Sequence, residues 1–257
     1  MIILSGDQIC KQDYSDFLEF HKKKGAEFSV AVMEVPWEDA SRFGLMVADE
    51  DDRITEFQEK PKNPKSNLAS MGIYIFDWNV LREALIEDYK DENSEYDFGK
   101  NVIPKLLAAD VPMYVYRFQG YWKDVGTVRS YWEANLDLIS EDNELDIYDK
   151  NWRINTTSKN LPPHFITKTG RVENVLINEA CYISGTVRDS VLFDQVVIEE
   201  GAYVEKSVVL PGVTIKRGAQ VYNSVIAENQ VIEEGTKIGT RGDSNVYLVS
   251  ENGVEAE

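Results

Sequence analysis

Histidine and cysteine are scarce in this chain, two of each in 257 residues. With only His21 and His164, a histidine-rich metal centre is excluded and a His-based catalytic dyad has few candidates. His21 lies in the charged stretch Glu19 to Lys24 and reads as part of a solvated helix face, and His164 follows Pro162 and Pro163 in a linker. Cys10 and Cys181 are too few for a disulfide scaffold or a thiolate zinc site, and both read as buried thiols. Positive charge is short as well: 27 Lys and Arg against 45 Asp and Glu leave −18, which would repel a nucleic-acid backbone or an anionic membrane. No nucleic-acid or membrane partner is expected. There is no run of 18 apolar residues, and the apolar start MIIL lacks the length and basic flank of a signal peptide, so a cytoplasmic location is expected.

What is present suffices for one large core or two small ones, since 43% of the residues are hydrophobic. Residues 1–150 hold 31 acids and 17 bases, whereas residues 151–257 hold 14 and 10, an asymmetry that suggests two domains. The first half alternates period-2 and period-3.6 apolar segments, the pattern of an α/β domain. Ile2 to Leu4 is a short apolar run. Helices are expected from about Tyr14 to Lys24, stopped by Gly25, after Asp77 as cap, over Asn101 to Ala109, where Pro104 must sit in the first turn or break the helix, and over Thr127 to Ile139. Phe28 to Val35, Met71 to Phe76 and Met113 to Phe118 read as strands. The pattern then dissolves into acids, Asn, Ser and a Pro-Pro pair, giving a domain at 1–150, a linker at 151–170 and a second domain at 171–257.

The second domain carries a repeat. Val175, Cys181, Val187; Leu192, Ile198, Val204; Val209, Ile215, Val221; and Ile226, Ile232, Ile238 form four rows with steps of six, six and five, each row starting 17 residues after the last. Ser190, Ser207 and Ser224 obey the same period, as do Gly201, Gly218 and Gly235. Steps of six place successive residues on different faces of an α-helix, so a helix cannot bury them together. Short strands, one per side of a coil, can, with the glycines relieving crowding at corners. The repeat predicts a parallel β-helix, and its hexapeptide spacing resembles the left-handed class. An antiparallel sandwich explains neither the period nor the glycines.

Three segments of the first domain place polar residues where an α/β sheet presents its functional edge. Asp7 follows the apolar run IILSG and offers a hard oxygen ligand suited to Mg²⁺. Glu59 and Lys60, in FQEKP, pair an acceptor for sugar hydroxyls with a cation for a phosphate, and LASMG follows at 68 to 72. Asp124, in YWKDVGT, is a second carboxylate just before a helix start, and two carboxylates could share one metal ion. Taken singly, each also fits a turn, a solvated loop or a helix cap.

Taken together, SGDQIC at 5–10, RFGLM at 42–46, EFQEKPKNPKSNLASMGIYIF at 56–76, YWKDVGT at 121–127 and the hexapeptide tail resemble the bacterial glucose-1-phosphate adenylyltransferases, across essentially the whole chain and in the family's order. The resemblance implies an incomplete sugar nucleotidyltransferase α/β domain followed by the β-helix. It implies a reaction of ATP with α-D-glucose 1-phosphate giving ADP-glucose and diphosphate for glycogen synthesis, with Mg²⁺ as cofactor. By motif, Asp7 and Asp124 match the metal-holding aspartates, Lys60 the lysine on the sugar phosphate, Glu59 the carboxylate on the sugar hydroxyls, and Gly44 and Ser70 further contacts to glucose 1-phosphate; Asp7, Lys60 and Asp124 would be the catalytic set. Assembly as a homotetramer, or with a full-length subunit, is implied as well.

The sequence departs from that family in two ways. Gln8 and Cys10 stand where the family usually has His and Tyr. The glycine-rich loop that wraps the nucleotide's phosphates has no counterpart, since Gly-x-Gly occurs nowhere in the chain. The isolated chain is therefore expected to be unable to form ADP-glucose. Two further readings are a regulatory or scaffolding subunit of the same enzyme and a hexapeptide acyltransferase. The latter commonly needs a β-helix histidine, and residues 172–257 hold none.

Overall fold

The first helix shows how local signals become packing. Phe17 and His21 lie one turn apart and are the buried positions of Tyr14–Lys24, whose ends are set by chemistry. The Asp13 side chain accepts from the Ser15 N–H, and Gly25 closes the helix in the left-handed conformation at φ 60°. The computed structural model describes residues 1–257, which form two compact units, Met1–Trp122 and Lys123–Glu257. The division falls earlier than residue 150 because the helix Val128–Asp137 belongs to the second unit: Val128, Tyr131 and Trp132 pack with Val208, Val225 and Val246, and Trp132 Nε1 donates to the Lys206 carbonyl at 2.7 Å. The first strand beyond the linker, Phe165–Ile166, also starts before residue 171.

The first unit is built on a mixed sheet in the order Ile54–Glu59, Gly44–Ala48, Leu68–Phe76, Phe28–Glu34, Met113–Arg117, with Ile2–Ile3 antiparallel to Ile75 and Tyr74. Only the last two strands of that order are parallel to one another. Phe17 covers one face together with Ala31, Met71, Ile73 and Ile75. Leu81 of the helix Trp78–Lys90 and Ile103 and Leu106 of the helix Ile103–Ala108 cover the other, against Phe28, Val30, Val32 and Phe76. The result is a three-layer α/β unit, with Pro104 in the first turn of its helix as its missing N–H requires.

Two expectations about scarce residues change. His21 is not solvated: it is 5% exposed, with Nδ1 2.9 Å from Ser29 Oγ and Nε2 3.8 Å from Asp77 Oδ1. Burial holds its pKa below the ordinary value, and the Asp77 carboxylate opposes that shift. Asp77 occupies the N-cap position of Trp78–Lys90 without making a side-chain cap bond. Of the thiols only Cys181 is buried; Cys10 is half-buried.

In the second unit the strands stack in parallel, each pairing with its counterpart one coil later. Three inward columns run through it: Ile183, Ile198, Ile215 and Ile232; Val187, Val204, Val221 and Ile238; and Leu192, Val209, Ile226 and Val249. Three of the four rows read from the period are in register. The first is not, because Ile177 pairs with Leu192 and Ile183 with Ile198, so those positions belong to Ile177 and Ile183 rather than Val175 and Cys181. The corner Ser184–Thr186 is shorter than its later counterparts, which is possible because Gly185 packs onto the next coil, where a Cβ would sit 2.5 Å from the Ala202 carbonyl oxygen.

The periodic glycines serve another purpose than the one expected. Gly218 and Gly235 adopt φ of 70°, and an added Cβ would meet nothing within 4 Å, so backbone conformation and not crowding demands glycine there. The four-residue corners between the Val187 and Leu192 columns use Asp189, Lys206 and Asn223 at positive φ, each followed by a fully buried serine. Ser190 Oγ accepts from Ser207 N–H (3.0 Å) and Ser207 Oγ from Ser224 N–H (3.2 Å), so the serines satisfy backbone donors from coil to coil. The antiparallel hairpin Tyr247–Ser250 and Gly253–Ala256 ends the stack.

Candidate functional site

Glu59 ends the strand Ile54–Glu59, and the antiparallel register sets Gly44 opposite it. Two glycines crowd its carboxylate. A Cβ on Gly44 would lie 3.0 Å from Glu59 Oε2, and one on Gly99 would lie 2.7 Å from the same atom and 3.3 Å from Asp97 Oδ1. Glu59 is open to solvent on its other side, yet burial of the carboxylate raises its pKa; Lys60 opposes the rise and Asp97 adds to it. Lys60 follows with its N–H donating to the Phe43 carbonyl (3.2 Å) and its φ at 43°, a left-handed conformation that costs a non-glycine residue energy and is often found at functional sites.

The long strand Leu68–Phe76 supplies the next wall. Burial pushes the Tyr74 hydroxyl pKa up, nearby Ser70 opposes the rise, and the charges of Glu59 and Asp97 add to it. The Tyr74 ring stacks on Phe98 at 5.7 Å, so the segment that carries Asp97 packs against the strand that carries Ser70. The strand bulges at Gly72, where φ is 66° and the N–H donates to Ser70 Oγ (3.2 Å). Ser5 fits against that bulge: its N–H donates to the Gly72 carbonyl, and a Cβ on Gly72 would come within 3.1 Å of Ser5 Cβ.

Glu59, Lys60, Gly44 and Ser70 therefore share one region of the first unit. Asp7 stands on the loop next to the Gly72 bulge, solvent-exposed, accepting a hydrogen bond from the Ser5 hydroxyl. Asp124 belongs to the second unit, where Oδ1 accepts from Gly126 N–H (2.8 Å); the helix cap is Thr127, in a capping box with Ser130. No group of three or more acidic, His or Cys side chains forms a metal cage. Mg²⁺ is commonly held by one or two carboxylates plus substrate phosphates and water, and the oxygen-only, solvent-open carboxylate of Asp7 fits that mode.

Sequence reading missed Asp97, Gly99, Lys100 and Tyr74. Asp97 lies 38 positions from Glu59 and is brought to it by tertiary folding. The available signal was local: Asp97-Phe98-Gly99 opens a helical stretch, with the Asp97 side chain accepting from the Lys100 N–H at 2.9 Å. Gln8 takes part too, its Oε1 accepting from Trp122 Nε1 (2.6 Å) while the buried Nε2 stays without a partner.

In the chain, the layered α/β unit is followed by the repeat solenoid. The chain belongs to the nucleotidyl transferase family: that family's model matches residues 1–141, and a second model, for the GlmU-like C-terminal hexapeptide region, matches residues 162–256. Among curated proteins the chain is similar to the glucose-1-phosphate adenylyltransferase of Clostridium acetobutylicum, 54% identical over 198 residues covering 77% of this chain and 52% of that one. It is also similar to the glucose-1-phosphate adenylyltransferases of Acetivibrio thermocellus, 51% identical over 80% of this chain and 49% of that one, and Bacillus cytotoxicus, 53% identical over 79% and 54%. The chain thus spans about half the length of the curated relatives it matches.

Proposed function

We propose that this chain takes part in the transfer of an adenylyl group from ATP to α-D-glucose 1-phosphate, giving ADP-glucose and diphosphate for glycogen synthesis, and that its first unit holds the hexose phosphate. The observation that carries the reading is the Glu59 carboxylate, lined by Gly44, Gly99 and Asp97 and followed in the chain by the Lys60 ammonium. Carboxylates accept hydrogen bonds from sugar hydroxyls, and an ammonium neutralises a phosphate. The resemblance to the named relatives supports the choice of a hexose phosphate.

In this reaction an oxygen of the sugar phosphate attacks the α-phosphorus of the nucleotide in line, a bond from that oxygen to phosphorus forms, and diphosphate leaves. The protein's part is positioning and charge neutralisation. Glu59, with Asp97, fixes the hexose ring through its hydroxyls; Lys60 aligns the phosphate; Gly44 and Ser70 shape the walls. Asp7 would hold Mg²⁺, which when bound neutralises phosphate charge. Assembly as a homotetramer, or with a longer subunit, and a cytoplasmic setting belong to the same proposal; no helix is long and apolar enough to cross a membrane.

Calorimetric titration of glucose 1-phosphate into the full chain tests the reading. Removing a charge-assisted hydrogen bond costs about 1.5–3 kcal/mol, so Lys60→Ala and Glu59→Gln should each weaken binding by roughly tenfold or more. No binding by the unaltered chain, or unchanged binding by both variants, would refute it.

A further inference from the structure

Asp97 reaches Glu59 on a segment that is held by side chains and not by strand pairing. Residues 94–97 run between the helix Trp78–Lys90 and the helical turn Phe98–Val102, with Tyr96 at φ 56°. Three of their backbone donors find side chains: Tyr96 N–H donates to Ser94 Oγ (3.0 Å), and Glu95 N–H and Asp97 N–H donate to Asn101 Oδ1 (3.2 and 3.3 Å), while Ser94 N–H donates to the Asp91 carbonyl (3.0 Å). The anchor beneath this segment is Asp88, 3% exposed near the end of its helix. Its Oδ2 accepts from the Ser94 hydroxyl at 2.8 Å and its Oδ1 from Lys105 Nζ at 3.1 Å; Lys105 also donates to Asp91 at 2.8 Å.

A buried carboxylate is costly unless it is paired and hydrogen-bonded, and an apolar residue would fill the same helix position without that cost. Asp88 does something an apolar residue cannot: it fixes Ser94, whose oxygen in turn sets Tyr96, the residue immediately before Asp97, whose charge bears on Glu59. The tolerance at that end is small, because Gly99 approaches so closely that even a Cβ would come within 2.7 Å of Glu59 Oε2.

We propose that Asp88 is a positioning residue for hexose recognition, acting through Ser94 and Lys105 to hold Asp97 and Gly99 in register with Glu59. The inference rests on the hexose-phosphate reading of the site. It assigns Asp88 to the recognition of the sugar's hydroxyls and leaves the phosphate contact of Lys60 untouched.

The experiment compares two probes, glucose 1-phosphate and inorganic phosphate, titrated into the full chain and followed by ¹⁵N amide shifts. Asp88→Ala and Ser94→Ala should weaken glucose 1-phosphate by roughly tenfold, the scale of losing a hydrogen bond and orphaning its partner, while phosphate affinity stays within about twofold of the unaltered chain. Asp88→Asn keeps an acceptor for Ser94 and should recover most of the sugar affinity, which a loss of stability alone would not allow. Leu81→Ala, in the core beneath the same helix, is the control for destabilisation and should leave the ratio of the two affinities unchanged. Unchanged glucose 1-phosphate binding in Asp88→Ala and Ser94→Ala, or a parallel loss of phosphate, overturns the positioning role. If Asp88→Ala does not fold, Asp88→Asn and Ser94→Ala decide the matter by the same ratio. An unaltered chain that binds phosphate but not glucose 1-phosphate overturns the hexose reading itself, and with it this inference.

Discussion

Replacing the buried serines of the solenoid one at a time should destabilise it unequally. Ser207 has two duties: Oγ donates to the Glu205 carbonyl at 2.9 Å and accepts from Ser224 N–H at 3.2 Å. Ser207→Ala removes one hydrogen bond, about 1 kcal/mol, and leaves the Ser224 N–H as a buried donor without an acceptor, a further ~1–3 kcal/mol. Ser224 is itself fully buried, so water cannot substitute without opening the corner. Ser190→Ala should match it, since Ser190 Oγ both donates to Arg188 O (2.6 Å) and accepts from Ser207 N–H (3.0 Å). Ser224 Oγ donates to Tyr222 O (2.7 Å) at the last corner of the ladder, so Ser224→Ala should cost only about 1 kcal/mol. Thermal unfolding followed by far-UV circular dichroism separates these outcomes, because roughly 2–4 °C accompanies each kcal/mol in a chain of this size. Equal shifts for all three variants, or a Ser224→Ala loss exceeding that of Ser207→Ala, would refute the ladder.

Two other perturbations test the fold at single points. Gly218→Ala places a Cβ in open space but at φ 70°, so it should destabilise by about 1 kcal/mol through conformation alone, whereas Gly218→Asn, tolerant of that region, should cost less in the same melt. His21 is buried with its pKa held below the ordinary 6.5, so the unfolded chain takes up a proton on acidification before the folded one does. Stability should therefore fall as pH drops below about 6.5, and His21→Gln should flatten that part of a urea-stability profile measured against pH; an identical slope would contradict the buried, neutral histidine.

The parts that were legible in sequence are those where the physics is local or repeats. Tyr14 to Lys24 followed by Gly25 is a helix with a left-handed cap in both sequence and structure, and the 17-residue period gave three of the four buried rows. The first row slipped because a strand's spacing does not say which of two alternating residues turns inward once a corner shortens, and Gly185 permits that shortening. The hairpin Gly44–Ala48 with Ile54–Glu59 went unseen, although it is what sets Gly44 against Glu59. His21 was misjudged from its charged neighbours, while its four-residue spacing from Phe17 already placed it on the buried face. Motif resemblance singled out Glu59, Lys60, Gly44 and Ser70. It did not reach Asp97 or Tyr74, whose closeness to Glu59 depends on folding of the whole unit.

In the proposed site Glu59 and Lys60 receive one hexose phosphate between them. A crystal structure of the full chain with glucose 1-phosphate measures this directly. Sugar hydroxyls should lie within about 3 Å of the Glu59 carboxylate and the phosphate within similar reach of Lys60 Nζ, with Gly44 and Gly99 beside Glu59. A sugar phosphate bound elsewhere, or one whose phosphate turns away from Lys60, would contradict it.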